Sequence, residues 1–214
     1  MDQKQIDFIT NFISVESANN KSCSTFSLAL RDARLITGRD LLTGECKHYL
    51  LQNNNNQHLK PYSPICLLNY LIILEMVGKI FKMKNQSDST NGIVSALLNF
   101  SDLEKKDRYT IKALWNALAH SYSLTNIPKK EKYYEHSRHL FAYHITGDFP
   151  LIQYPDNKWN GDYNQIESRT WIQINKLFNL IEIIVKSILD KIGNDEIELQ
   201  MDIAELETRY YINY

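Results

Sequence analysis

Apolar residues recur at helical spacing along most of the chain. Ile6, Ile9 and Ile13, with Phe8 and Phe12, fall on one helix face, and Phe26, Ala29, Leu30, Ala33 and Ile36 fall on another. Gly38 ends the second pattern. The run ICLLNYLIILEMVGKIF, from Ile65 to Phe81, is apolar nearly all round and reads as a core helix reaching about Lys84, with Ser63 able to cap it and Pro64 suited to its first position. A shorter apolar helix covers Ile93 to Phe100. Ser101-Asp-Leu-Glu104 then has the form of a capping box, opening a helix of about twenty residues that ends near Leu124, ahead of Pro128.

Beyond Lys129 the pattern shifts toward strands. HLFAYHI and FPLIQY flank Thr146-Gly147-Asp148, which predicts a β-hairpin whose second strand, bearing Pro150, lies at an edge. The loop YPDNKWNGDYN leads to an amphipathic helix from about Gln165 to Ile192, with Trp171, Ile174, Phe178, Ile181 and Val185 on one face. Gly193 ends it, and Asn194 or Asp195 starts a last helix through Leu199, Ile203 and Leu206. The expected fold class is mainly α: a helical bundle carrying a β-hairpin insertion between the helix of residues 105–124 and the C-terminal helices. No internal repeat or long linker divides it, so residues 1–214 are expected to form a single domain. Its parts are a helical N-terminal stretch over 1–62, core helices over 63–124, the hairpin over 129–156 and the C-terminal helices over 165–210. Within the first part, GRDLLTGECKHYLL is ambiguous between short helix and turn, and NNNNQ reads as a polar loop.

Charge narrows the choice of partners. Lys and Arg total 24 against 25 for Asp and Glu, a net charge of −1, so any phosphate-binding surface has to be local. Cys23, Cys46 and Cys66 form no CxxC pair, which favours free thiols in a reducing compartment. The N-terminal residues lack the pattern of a signal peptide, and Asn69, Glu75 and Lys79 interrupt the most apolar run, so the expectation is a cytoplasmic protein with no membrane partner.

Candidate chemistry lies on the helix containing IKALWNALAHSYS. Arg108, Lys112, Asn116 and His120 recur every four residues and form a polar stripe. Cations and an amide can hold a phosphate and a histidine can move a proton, a combination suited to phosphodiester chemistry without a metal or cofactor. A histidine near a helix C-terminus facing the last carbonyls, beside a solvated face, is the plainer reading of the same residues. Tyr133, Tyr134, His136, Arg138 and His139 mix aromatics with cations, as surfaces that hold single-stranded RNA do, although exposed polarity of a hairpin accounts for them too. Glu75, inside the most apolar helix, calls for a polar partner or marks a gap in the apolar stripe.

The helix ending NALAHSY, preceded by the helix bearing Glu75, resembles the HEPN superfamily of small helical bundles over roughly Ser63 to Tyr122. That family's signature is an Arg, commonly followed by a polar residue, with a His four to six positions further on. His120 matches the His and Asn116 the polar residue, whereas Trp115 stands where the Arg belongs. The resemblance implies a homodimer, RNA or a nucleotide as partner, and metal-independent endoribonuclease activity of a toxin–antitoxin or antiphage type. In that scheme His120 is the general acid or base, with Asn116 and Lys112 on the phosphate. From their own chemistry, and not from the resemblance, Arg108, Tyr122, Tyr133, Arg138 and His139 are expected as RNA contacts, while the family's packing implies that Glu75 supports the site by reaching Lys112, Asn116 or His120. Lys is a flexible point charge and does not reproduce the Arg fork. A dimeric interaction module that has lost the motif's chemistry is the alternative.

Overall fold

The computed structural model describes residues 2–19, 21–46, 63–86, 89–128, 137–145 and 147–213. The polar run NNNNQ, Thr146 and the candidate Tyr133 lie outside the described residues. Helix α1 (Gln3–Ile13) opens on a capping box between Asp2 and Gln5 and buries Ile9, Phe12 and Ile13. After strand β1 (Ser22–Ser24), helix α2 (Thr25–Ile36) is capped by Ser24, whose hydroxyl accepts from the Ser27 N–H at 2.9 Å. Gly38, at φ +68°, turns the chain out of it.

Helix α3 (Pro64–Ile80) is the centre of the bundle, packing against α2, against α4 (Gly92–Phe100), against α5 (Lys105–Ser121) and against α6 (Ile174–Gly193). Four neighbours explain why it is apolar nearly all round. Pro64 begins it as expected, and it gives way to strand β2 (Phe81–Met83) before Lys84. A Cβ on Gly78 would lie 1.8 Å from the Gly92 carbonyl oxygen, so α3 and α4 touch backbone to backbone at a place only glycine allows.

Several local expectations are corrected by tertiary pairing. The capping box at Ser101 does not form: its hydroxyl turns back to the Leu97 carbonyl at 2.6 Å, and α5 starts after Glu104 without a side-chain cap. Helix α5 stops at Ser121, because Tyr122 takes a left-handed conformation at φ 46°. The β-hairpin is also absent. Strands β3 (Thr125–Asn126), β4 (His139–His144), β5 (Ile152–Gln153) and β6 (Arg169–Gln173) make one sheet in the order β3-β4-β6-β5, with β4 and β6 parallel and β6 lying between the two segments expected to pair. The reason lies in residues 169–173, RTWIQ, whose β-branched Thr170 and Ile172 are buried on either side of the aromatic Trp171, so they bind the sheet instead of extending α6 back to Gln165. Gln173 then caps α6, accepting from the Asn175 N–H at 2.8 Å. Asn194 and Asp195 likewise start no helix. They precede strand β7 (Ile197–Leu199), which pairs with β2, and the last helix α7 (Ile203–Tyr210) is capped by Asp202 before strand β8 (Tyr211–Asn213) pairs with β1. No helix of the described residues is long and apolar enough to cross a membrane.

One buried charged network holds the N-terminal helices to α6. Arg34 of α2 meets Glu182 of α6 at 2.7 Å, and the two side chains are only 8% and 9% exposed. Arg34 also donates to the Leu41 and Leu42 carbonyls, at 2.6 and 3.0 Å, while the Tyr70 hydroxyl donates to Glu182 at 2.8 Å. Gly44, at φ +72°, passes so close to Glu182 that a Cβ would meet its carboxylate oxygen at 2.3 Å. Replacing Glu182 alone with Ala strands the guanidinium, and urea denaturation is expected to show a loss of about 3–5 kcal/mol. The joint replacement of Arg34 and Glu182 with Met is expected to recover a large part of that loss, since no unpaired charge remains.

Candidate functional site

The predicted site residues separate into two places. Lys112, Asn116 and His120 lie along the outer side of α5, the first two half-buried and His120 exposed on the last turn. The Lys112 ammonium lies 5.6 Å from the centre of the Tyr109 ring. Arg108, at the start of the stripe, turns back and donates to the Leu103 carbonyl. Tyr122 ends the helix and is 58% exposed. Glu75 reaches none of the three residues expected of it. It pairs with Lys79 one turn further along α3, at 2.8 Å, because the backbone contact with α4 presses its stem against Gly92. Trp115, at the motif position that calls for Arg, packs on the edge of the core.

Arg138 and His139 belong elsewhere. With Lys106, Thr110, Tyr154, Pro155, Asp156, Lys158, Trp159, Asn160 and Thr170 they line a cleft of about 580 Å³ between the first half of α5, the start of β4 and the segment joining β4 to β6. Thr110 and His120 are ten residues apart on one helix, so their levels differ by roughly 15 Å at about 1.5 Å per residue. His120 is therefore well removed from the cleft along the helix.

Helix α5 and the β4–β6 connection are joined through Tyr154. Its hydroxyl donates to the Asp107 carboxylate at 2.7 Å and lies 3.0 Å from the Thr110 hydroxyl, which in turn lies 3.0 Å from the Lys106 carbonyl. The Lys106 ammonium sits 3.3 Å from the centre of the Tyr154 ring. On the opposite side Arg138 stands 5.7 Å from the centre of the Trp159 ring and donates to the Asn160 carbonyl. Trp159 is buried, its indole N–H given to the Asp162 carbonyl at 2.8 Å, so this loop is folded on its own polar atoms. His139 is buried at the cleft wall, with Nδ1 2.9 Å from the Thr170 hydroxyl and its ring stacked on Phe141. His144 lies beyond, stacked between Phe149 and Trp171, at ring-centre distances of 3.7 and 4.4 Å.

Among the described residues the cleft is lined by the cations Lys106, Arg138 and Lys158 and by the Asp156 carboxylate, and the Asp107 carboxylate is bonded to its Tyr154. Sequence reasoning placed Arg138 and His139 among candidate contacts but missed Lys106, Tyr154, Lys158 and Trp159. For Tyr154, Lys158 and Trp159 the signal was the density of aromatic and charged residues in YPDNKWNGDYN, a stretch too polar to serve only as packing.

Burial raises the Tyr154 hydroxyl above the ordinary tyrosine range, and the adjacent Asp107 and Glu104 carboxylates add to the effect. Because the folded value is raised, Tyr154 contributes stability that is whole below the unfolded tyrosine pKa and is lost as pH rises past it. Tyr154→Phe is expected to lower stability by about 2 kcal/mol at neutral pH, read by urea denaturation, since Asp107 loses its donor. Phenolate absorbance of wild type and variant is expected to coincide up to about pH 11, because Tyr154 stays protonated there. No family model, no curated protein and no solved structure matches the chain, so the functional reading rests on the geometry of the cleft and on the resemblance of the α5 motif.

Proposed function

We propose that the chain is an HEPN-like helical protein that binds RNA or a nucleotide in the cleft between α5 and the β4–β6 connection. The observation that carries this reading is the convergence of Lys106, Arg138 and Lys158, brought from three separate segments, on a cavity walled by Tyr154 and Trp159. Cations beside aromatic rings meet the two chemical needs of a nucleotide, a phosphate and a flat base. The volume also falls within the roughly 300–1,000 Å³ usual for small-ligand sites.

Cleavage at His120 is the weaker part of the family resemblance. Trp115 contributes apolar contact where a cation is required, and His120 stands ten residues, roughly 15 Å, along α5 from Thr110 of the cleft. The reading preferred here is binding without cutting at that residue. A homodimer remains part of the proposal, with the exposed end of α5 as its surface, and light scattering on the purified chain tests it.

The purified chain, in EDTA with a mixed RNA substrate, is expected to retain RNA in a gel shift and to leave it intact. Arg138→Ala and Lys106→Ala should each weaken retention by about tenfold, the scale of one lost charge-assisted contact, while His120→Ala binds as wild type does. Cleavage that survives EDTA and disappears in His120→Ala would restore the ribonuclease reading. Failure of wild type to retain any RNA or nucleotide would remove both.

A further inference from the structure

The chain contains two Asn-Gly steps, Asn91-Gly92 and Asn160-Gly161, and the fold treats them differently. We propose that Asn160 is a site of self-modification: the Gly161 peptide nitrogen attacks the Asn160 side chain and converts it to aspartate and isoaspartate, assisted by Arg138 and by the Asp162 N–H. The conversion stands apart from the nucleotide reading of the cleft, and only its consequence for RNA retention rests on that reading.

Water is the one co-reactant the step requires. The Gly161 nitrogen gives up its proton and bonds to Cγ of Asn160, the bond from Cγ to the side-chain nitrogen breaks, and ammonia leaves with that proton. Water then opens the succinimide ring. Opening at Cγ gives aspartate on the ordinary backbone, and opening at the main-chain carbonyl carbon gives isoaspartate, whose chain runs through Cγ. Glycine in the following position has no Cβ to crowd the approach.

Negative charge appears at two oxygens along this path, and both already have donors. Loss of the Gly161 proton spreads charge onto the Asn160 main-chain oxygen, to which the Arg138 guanidinium donates. Bond formation then moves charge to Oδ1 of Asn160, which accepts from the Asp162 N–H at 2.8 Å. That second bond also folds the side chain back along the Gly161 peptide. Gly161, at φ +107°, makes room for Arg138, since a Cβ there would lie 2.3 Å from the guanidinium. Asn160 is exposed, so water reaches the ring, and the buried Trp159 holds the turn from beneath by donating to the Asp162 carbonyl at 2.8 Å.

Asn91 has the same neighbour in a different setting. It caps α4, where its Oδ1 accepts from the Val94 N–H at 3.1 Å and its main-chain oxygen from the Ser95 N–H at 2.8 Å, both of them neutral donors. Gly92 is buried against α3, and a Cβ on it would lie 2.5 Å from the Glu75 carbonyl oxygen. Closing a ring on the Gly92 nitrogen would pull the first turn of α4 off α3. Conversion of Asn160, by contrast, adds a carboxylate at a residue that lines the cleft and whose main chain Arg138 holds. Toward an anionic ligand this is a slow off-switch.

Peptide mapping by mass spectrometry of the full chain, incubated at neutral and at mildly alkaline pH, tests the proposal. Asn160 is expected to convert at least about tenfold faster than Asn91, and faster still at the higher pH, because the attacking species is the deprotonated peptide. Arg138→Ala is expected to slow the conversion of Asn160 by at least about tenfold, while an intact Asn91 in the same sample shows that α3 and α4 remain packed. Equal rates at the two sites overturn the proposal, as does an Asn160 that stays an amide over the time in which synthetic peptides spanning either step convert. An unchanged or faster rate in Arg138→Ala overturns the assistance assigned to that residue. In the gel shift, Asn160→Asp is expected to retain RNA severalfold less well than wild type. Equal retention overturns the off-switch, and retention by neither protein removes the nucleotide reading while the mass-spectrometric result still decides the conversion.

Discussion

Parallel pairing of β4 with β6 is the constraint from which the cleft follows. Parallel neighbours cannot be joined by a tight turn, because the chain must return to the end at which it began before it can run alongside itself. Residues 145–168 make that return. In doing so they lay down β5 antiparallel on the far side of β6 and carry Tyr154, Asp156, Lys158 and Trp159 past the first half of α5. A simple hairpin would have needed only a few residues between strands and would have left no wall opposite Lys106. The long connection is fastened at both ends of its course. Tyr154 binds Asp107 and Thr110 of α5, and Trp159 anchors the loop through its own N–H and its contact with Tyr163.

The bundle itself is stabilised by interactions away from this cleft. Arg34 and Glu182 are buried, yet their charges are compensated by each other, by the Tyr70 hydroxyl and by two backbone carbonyls. Tyr70 also stacks on Phe178 at 4.4 Å, with Arg39 near both rings, so charged and aromatic groups form one assembly linking α2, α3 and α6. The loop over residues 39–46 is drawn onto α6 by the same assembly, through Arg39 to Asn179 and through Gly44 against Glu182. Among the described residues this assembly shares none with the cleft, whose own Tyr154 fastens the β4–β6 connection to α5.

Helices were legible in the sequence where their faces were one-sided or their ends were marked. The apolar spacings of α1 and α2, Gly38 after α2 and Pro64 at the start of α3 all correspond to what forms. Local signals misled where a competing partner lay far away in sequence. Trp171 fits the apolar face of α6 at helical spacing, but it sits on a strand that finds β4 and β5. Ser101 has the neighbours of a capping box, but the open carbonyl of Leu97 at the end of α4 is nearer to hand. Gln173 also works against a hairpin, by donating from β6 to the Gly147 carbonyl at 3.1 Å. The site divides in the same way. Arg138 and His139 stood out as cations among aromatics, whereas Lys106 and Lys158 join them only through the crossover, which no spacing rule contains.

The polar stripe of α5 and the cleft also differ in what their charges can do. A cation on an open helix face is screened by water and salt and keeps its rotamer freedom, so its attraction for a phosphate is small. His120 lies on such a face, Lys112 is half-buried near the Tyr109 ring, and Arg108, which begins the stripe, is drawn back to the Leu103 carbonyl. Lys106 stands on the same helix but leans on a tyrosine that is itself hydrogen-bonded to that helix, so its position is set by packing. A four-residue repeat reports which side chains share a face and is silent on which of them are held. Trp115 illustrates the point from the other side. Its place on the core edge means that a cation introduced there would exchange apolar contact for charge, whereas Lys106, Arg138 and Lys158 already come together around the cleft.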